Sequence, residues 1–269
     1  MKVGLFDSGL GGLTVLNAIA KTLKGADIFY VADTLYAPYG DKSKEEIFAR
    51  CDKITRYLLE KYSIDALVVA CNTATSIIIK HLRQNFPNLI IIGIEPGIKP
   101  AINKTKTGNI GILATASTLN GEKYRILVDE LTKEHDVKLF EQACVGLVQQ
   151  IEKGETKALQ TYSMLENWLK PMLHNRVDTI VLGCTHYPLV KQTIKDIMGE
   201  DIILIDTGDA IAKRLMDLSQ NAGHINEGDL DILVLYTGDI KSDMVKIILK
   251  KSKYKIRKCE IWVVFKIEF

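Results

Sequence analysis

Strong net charge is missing from this sequence: 35 lysines and arginines face 33 aspartates and glutamates, a formal balance of +2. No field of one sign therefore selects nucleic acid or a membrane surface as a partner. Long apolar runs are missing too, and none reaches the roughly 18 residues of a membrane-spanning helix. The opening Met1-Lys2-Val3-Gly4-Leu5-Phe6-Asp7 meets an acidic residue before a signal-peptide core can build, so the expected compartment is the cytoplasm. Cysteine is sparse and odd in number, five scattered through 269 residues, which reads as reduced thiols rather than a disulfide framework. Phosphate-binding motifs are absent. Gly9, Gly11 and Gly12 fail the dinucleotide spacing because Thr14 stands where a third glycine is needed, and no P-loop lysine follows. No strand-end lysine offers a Schiff base to pyridoxal phosphate, so no cofactor is expected.

What is present is an ordinary globular composition, 47% apolar and 25% charged. Strand-like and helix-like segments alternate, which predicts an α/β fold with parallel sheets covered by helices. Strands are expected over 2–6, 27–32, 89–94, 108–113, 138–142, 201–205 and 231–236, with two more leading into Cys71 and Cys184. The turn Asp7-Ser8-Gly9-Leu10-Gly11-Gly12 opens a helix running to about Lys24. Ser43 and Glu46 form a capping box, and Ile47, Cys51, Ile54 and Leu58 then share one helical face. A helix over 159–173 is expected to stop or kink near Pro171. Thr115, Ser117 and Thr118 read as turn residues after the 108–113 strand. Glu95-Pro96-Gly97 breaks the pattern and marks a domain crossing. The expected division is residues 1–97 with 211–269 as one domain and 98–210 as the other. The basic run 250–258 reads as a solvated face, and the apolar 261–269 after it as part of an edge strand.

Two stretches organise the chain. Ala66-Leu67-Val68-Val69-Ala70 runs into Cys71-Asn72-Thr73, and Thr179-Ile180-Val181-Leu182-Gly183 runs into Cys184-Thr185-His186. Each is a short buried strand that ends in a thiol and hydrogen-bonding residues, which suggests an internal repeat of one βα unit. Ligands of open α/β sheets bind just past the carboxyl ends of strands, so two such ends could present two thiols across one cleft. Cys51, Cys144 and Cys259 carry no such context and read as small buried hydrophobes. A thiol at its usual pKa is only about 3% thiolate at pH 7. A helix start just after each cysteine, or a nearby histidine, would raise that fraction. Asn72, Thr73 and Thr185, with backbone amides, could hold a substrate carboxylate or ammonium.

Two facing thiols suit removal of a proton from a carbon by one and its return to the opposite face by the other, which is racemisation or epimerisation. Asp7 could tune one thiol or serve only as a helix cap. His186 could tune the other or be a satisfied core histidine. The same residues leave other readings open: zinc held by Cys71, Cys184 and His186, or an amino-acid-binding protein without activity.

Gly4-Leu5-Phe6-Asp7-Ser8-Gly9-Leu10-Gly11-Gly12, Pro38-Tyr39-Gly40, Ala70-Cys71-Asn72-Thr73 and Leu182-Gly183-Cys184-Thr185-His186-Tyr187-Pro188-Leu189, in that order, resemble bacterial glutamate racemase of the aspartate/glutamate racemase superfamily. The resemblance runs from residue 1 to about Asp239. It implies two pseudo-symmetric α/β domains with mainly parallel sheets and an active site in the cleft between them. It implies cofactor-independent interconversion of L- and D-glutamate, supply of D-glutamate for peptidoglycan, and a homodimer. Carried over, Cys71 acts on D-glutamate with help from Asp7, and Cys184 acts on L-glutamate with help from His186. Glu152 matches an acidic residue beside the second thiol; as a residue it reads equally as a solvated helix charge. Asp7 and Ser8, Pro38, Tyr39 and Gly40, Asn72 and Thr73, Thr115 and Thr118, and Thr185 and His186 match the family's substrate contacts. The chain departs from a Pro-Leu type pair at Gln149-Gln150, and its tail beyond Lys250 matches poorly.

Overall fold

A computed structural model describes residues 1–250 and 252–261. The chain begins with β1 (Lys2–Asp7), α1 (Leu13–Thr22), β2 (Asp27–Ala32), α2 (Lys44–Tyr62), β3 (Ala66–Val69), α3 (Asn72–Asn85), β4 (Ile90–Gly93) and α4 (Ile98–Ile102). It continues through β5 (Asn109–Ala114), α5 (Ala116–Leu119), α6 (Glu122–Glu134), β6 (Lys138–Ala143), α7 (Leu147–Glu152), α8 (Leu159–His174), β7 (Thr179–Gly183), α9 (Lys191–Met198) and β8 (Ile203–Ile205). The last elements are α10 (Gly208–Asn221), β9 (Asp231–Tyr236), α11 (Ser242–Ile248) and β10 (Lys255–Lys258).

The strands form two sheets, ordered β10-β9-β2-β1-β3-β4 and β6-β5-β7-β8, and every pairing is parallel. Within them β2-β1-β3-β4 and β6-β5-β7-β8 have the same order, so the repeat read from the two cysteine stretches is a repeat of topology. Cys71 follows β3, and Cys184 follows its counterpart β7. Both strands are buried along their whole length, as near-continuous apolar runs in a parallel sheet should be. Helices cover both faces of each sheet. One face of the first sheet packs on α1, α10 and α11 and the other on α2 and α3; the second packs on α7, α8 and α9 and on α4 and α6. After the second sheet, the chain returns and lays β9 beside β2.

Local sequence accounts for most boundaries. The Ser43 hydroxyl accepts the Glu46 amide at 3.2 Å, and the Glu46 carboxylate accepts the Ser43 amide at 3.0 Å. The face of α2 carrying Ile47, Cys51, Ile54 and Leu58 is buried, as its spacing predicts. Two expectations change. Thr115 caps a one-turn helix, its hydroxyl accepting the Thr118 amide, so Ser117 and Thr118 lie inside α5 rather than in a turn. Helix α8 does not stop at Pro171 but runs on to His174. The proline sits in the last turn, where its missing N–H removes a single ladder bond. Buried Leu169 and Met172 hold that turn to the core, and the Pro171 carbonyl accepts both the backbone and the side-chain N–H of Asn175.

The expected edge strand is β10. All four of its residues are exposed, and Lys255, Arg257 and Lys258 put charge along an edge that would otherwise template association. The apolar run expected after Ile261 lies outside the described residues. Among those described, no helix is long and apolar enough to cross a membrane. Replacing Ser43 by alanine should lower the free energy of unfolding by about 1 kcal/mol, measured by urea titration, because the hydroxyl that accepts the Glu46 amide is lost.

Candidate active site

Parallel register places the chemistry. Phe6 pairs with Val69, so Asp7 leaves the first sheet opposite Ala70, one residue before Cys71; Ala114 pairs with Gly183, so Thr115 and Cys184 leave the second together. The two sets meet at a cavity of about 60 Å³. Cys71 and Cys184, 7% and 8% exposed, both line it. So do Ser8, Pro38, Tyr39, Gly40, Thr73, Thr115, Thr185 and His186. The Thr73 and Thr115 hydroxyls lie 3.1 Å apart and link the first unit to the second. Asp7, Asn72, Thr118 and Glu152 stand behind this lining; the Thr118 hydroxyl reaches it only through Thr115, at 2.9 Å. A larger cavity of about 620 Å³ reaches Cys184 and Asn72 but not Cys71, so of these two cavities the smaller is the one both thiols line.

The glycine turn, uninformative as a phosphate motif, has a clear physical reason. A Cβ on Gly9 would stand 2.1 Å from Glu152 Oε1, and one on Gly11 would stand 2.3 Å from His186 Nδ1. The turn is bare because side chains from the second unit seat directly on it. Glu152 Oε1 accepts the Leu10 amide at 2.6 Å and lies 2.6 Å from His186 Nε2. The Gly11 amide also points at Nε2, at 3.2 Å. One nitrogen cannot donate to a carboxylate and accept an amide proton at once. The shorter contact decides: Nε2–H donates to Glu152, leaving Nδ1 toward the Cys184 sulfur at 3.7 Å. On the other side of the turn, Asp7 Oδ2 accepts the Gly9 and Gly12 amides at 3.1 Å, and Oδ1 accepts the Thr185 hydroxyl at 3.3 Å. Asp7 therefore braces the turn, while α1 itself begins at Gly12 without a side-chain cap. Glu152 is engaged in this junction, so it is not a solvated helix charge.

Burial governs proton affinity here. It pushes the Cys71 thiol well above the usual range, and the neighbouring Asp7 charge adds to the rise. The Ala74 amide at the start of α3 and the Ser8 hydroxyl pull the other way and lose. The expectation that a helix start would raise the thiolate fraction is thus reversed at Cys71, because desolvation of a charge in a closed site outweighs one amide. After Cys184 no α-helix begins at once; a 3-10 turn, Tyr187–Val190, precedes α9. Burial also raises Asp7, against the lowering effect of His186 and of the Gly9 and Gly12 amides. Burial alone would lower His186, yet its bonds to Cys184 and Glu152 prevail and raise it well above the ordinary imidazole value, which favours the charged ring. Among the described residues, no group of three or more His, Cys, Asp or Glu is placed to hold a metal ion.

Cys144 belongs to the cavity wall, although its sequence context marks it only as a buried thiol. It directly follows β6, so its strand-end position is the available signal. Gln149 also lines the wall. At the departure from the family pattern, its side-chain amide donates at 2.9 Å to Asp41, another residue of the lining, while Gln150 is buried with its carbonyl oxygen unpartnered among the described residues.

Residues 9–215 match the model of a family described as Asp/Glu/Hydantoin racemase. The chain belongs to that family. It is 66% identical over 261 residues to a glutamate racemase of Aliarcobacter butzleri, covering 97% of this chain and all of the relative. It is 55% identical over 249 residues to one of a Sulfurovum species, covering 93% and 94% of the two. Solved members of the racemase family share its shape. Glutamate racemase isoform RacE1 of Bacillus anthracis superposes with a TM-score of 0.82 at 30% identity, over 96% of this chain and 97% of that one. The Escherichia coli glutamate racemase, solved with L-glutamate and the activator UDP-MurNAc-ala, gives 0.83 at 28% identity, over 97% and 99%. The family fold is thus two units with mainly parallel sheets, as the topology here shows.

A methyl group on Gly11 must displace His186, so Gly11→Ala should lower stability by about 1–3 kcal/mol in urea titrations. His186 has a native pKa raised above its unfolded value. Its contribution to stability is complete below about pH 6.5 and declines as pH rises through the native value. The gap in urea midpoint between wild type and His186→Gln should therefore shrink from about pH 6 to pH 9.

Proposed function

We propose that the chain is a cofactor-independent glutamate racemase, an isomerase that works by a two-thiol proton exchange at the α-carbon. The observation that carries this reading is the arrival of Cys71 and Cys184, from equivalent strand ends, at one small cavity. The names of the relatives supply glutamate as the substrate.

In this reading a substrate lies between the sulfurs. Cys71 removes the α-proton of D-glutamate and Cys184 returns one to the opposite face; for L-glutamate the roles exchange. Burial keeps the proton on Cys71 until a substrate ammonium arrives and offsets the cost of the thiolate. Asp7, whose own proton affinity burial raises, is the group that takes up the proton Cys71 gives up as the thiolate forms. His186, pinned by Glu152, serves Cys184 across 3.7 Å. Ser8, the turn at Pro38, Tyr39 and Gly40, and the side chains of Thr73, Thr115 and Thr185 supply the substrate's polar contacts, with Asn72 and Thr118 supporting them. The cavity of about 60 Å³ is small for an amino acid, so admission requires its walls to part, and the Gln149–Asp41 bond spans the place where they would do so. Residues 1–97 with 211–269, and residues 98–210, are the domains that would move. A cytoplasmic homodimer that supplies D-glutamate for peptidoglycan completes the proposal, on the strength of the family resemblance.

The test is circular dichroism of L- and then D-glutamate with purified protein in deuterated water and no added cofactor. Decay of both signals to zero, with deuterium at the α-carbon, is expected. Cys71→Ala and Cys184→Ala should each slow racemisation by about 10²–10⁴-fold or more while keeping the fold. A single-thiol variant that racemises at the wild-type rate would end the two-thiol mechanism, and turnover of aspartate alone would change the substrate.

A further inference from the structure

Behind the wall that carries Tyr39, a carboxylate outside the proposed chemistry gathers four hydrogen-bond donors. Asp33 is fully buried. Its Oδ2 accepts the Tyr39 hydroxyl at 2.7 Å and Arg50 Nε at 2.9 Å. Its Oδ1 accepts Arg50 Nη2 at 2.5 Å and the Thr237 hydroxyl at 2.8 Å. Arg50, 1% exposed, donates from Nη1 to the Ile261 carbonyl at 2.5 Å, and its guanidinium lies 4.1 Å from the centre of the Tyr36 ring.

A buried ion pair is weak support for stability, because desolvating both charges cancels most of their attraction. What this pair supplies is direction. The two-pronged guanidinium fixes both carboxylate oxygens in one plane. One of those oxygens then fixes the end of the Tyr39 side chain. Tyr39 in turn belongs to the segment that lines the thiol cavity, and the next residue, Gly40, packs against Thr115 of the second unit.

We propose that Arg50 is a positioning residue: through Asp33 and the Tyr39 hydroxyl it sets the place of the turn formed by Pro38, Tyr39 and Gly40 against the substrate. This deepens the racemase reading and rests on it. The carbonyl of Ile261 gives the C-terminal segment a part in the same support.

The experiment is steady-state kinetics on L-glutamate for wild type, Arg50→Lys, Tyr39→Phe and the double variant, with the folded fraction measured alongside. Arg50→Lys keeps a charge beside Asp33 but loses the fork, and Tyr39→Phe removes one hydroxyl. Each should raise KM about tenfold, the weight of a bond to a charged acceptor, and leave kcat within about twofold. The double variant should be no worse than the poorer single, because both break one chain of contacts. A merely structural role would lower the folded fraction and apparent kcat together and leave KM alone; that result overturns the inference, as does KM unchanged in Tyr39→Phe should Arg50→Lys fail to fold. Wild type that leaves glutamate unchanged overturns the racemase reading and this inference with it. Wild type that racemises beside variants of unaltered KM overturns the inference alone.

Discussion

Glu152 and His186 seat on a turn that has no room for side chains, and the geometry around the thiols follows from that seating. The contact is polar and tight, with His186 buried and Glu152 partly exposed. A carboxylate oxygen there meets a backbone amide and a buried ring nitrogen, each at 2.6 Å. Neither partner can be withdrawn alone without leaving a desolvated group unpaired. The turn is braced from its other side by Asp7, which also accepts the Thr185 hydroxyl from the second unit. One bare loop thus locates a carboxylate and a histidine, and through them the sulfur of Cys184.

Burial sets the proton chemistry. A buried, uncompensated thiol keeps its proton, and Cys71 is pushed that way both by burial and by Asp7. The arrangement suits a catalyst that should hold its proton until a cation is delivered beside it. His186 shows the opposite balance, where partners outweigh burial and charge is kept. The two halves repeat one topology yet surround their thiols with different companions, an acid on one side and a histidine on the other.

Much of this was legible in the sequence, for physical reasons that can be named. Strands β2 and β9 match their expected bounds because an aspartate marks each start and the apolar run is unbroken. The thiol pair stood out because the carboxyl end of a buried parallel strand is where this class of fold opens toward a ligand, and both cysteines sit there. What stayed hidden depends on meetings between distant residues. Gly9 and Gly11 are bare on account of Glu152 and His186, more than a hundred positions away. Nothing in the sequence marks Asp33 and Arg50, seventeen positions apart, as partners, and only folding buries them together. Cys144 follows β6, whose residues are half-buried without a clean period, so nothing set it apart from an ordinary buried thiol. Helix α8 runs through Pro171 to His174 because buried Leu169 and Met172 hold its end to the core, a tertiary contact that composition alone does not mark.

The return of the chain to its first sheet bears on how the molecule is made. Asp27 pairs with Asp231 and Ala32 with Tyr236, so β2 gains one neighbour only after the second sheet has been synthesised. The second sheet draws on the contiguous stretch from Asn109 to Ile205 and needs nothing that comes later. As the polypeptide leaves the ribosome, the later-encoded unit can close while the earlier one still waits, with the outer edge of β2 bare. A segment in that state pairs readily with a neighbouring nascent chain. Tethering the missing strand far downstream makes the vulnerable interval as long as translation of everything between.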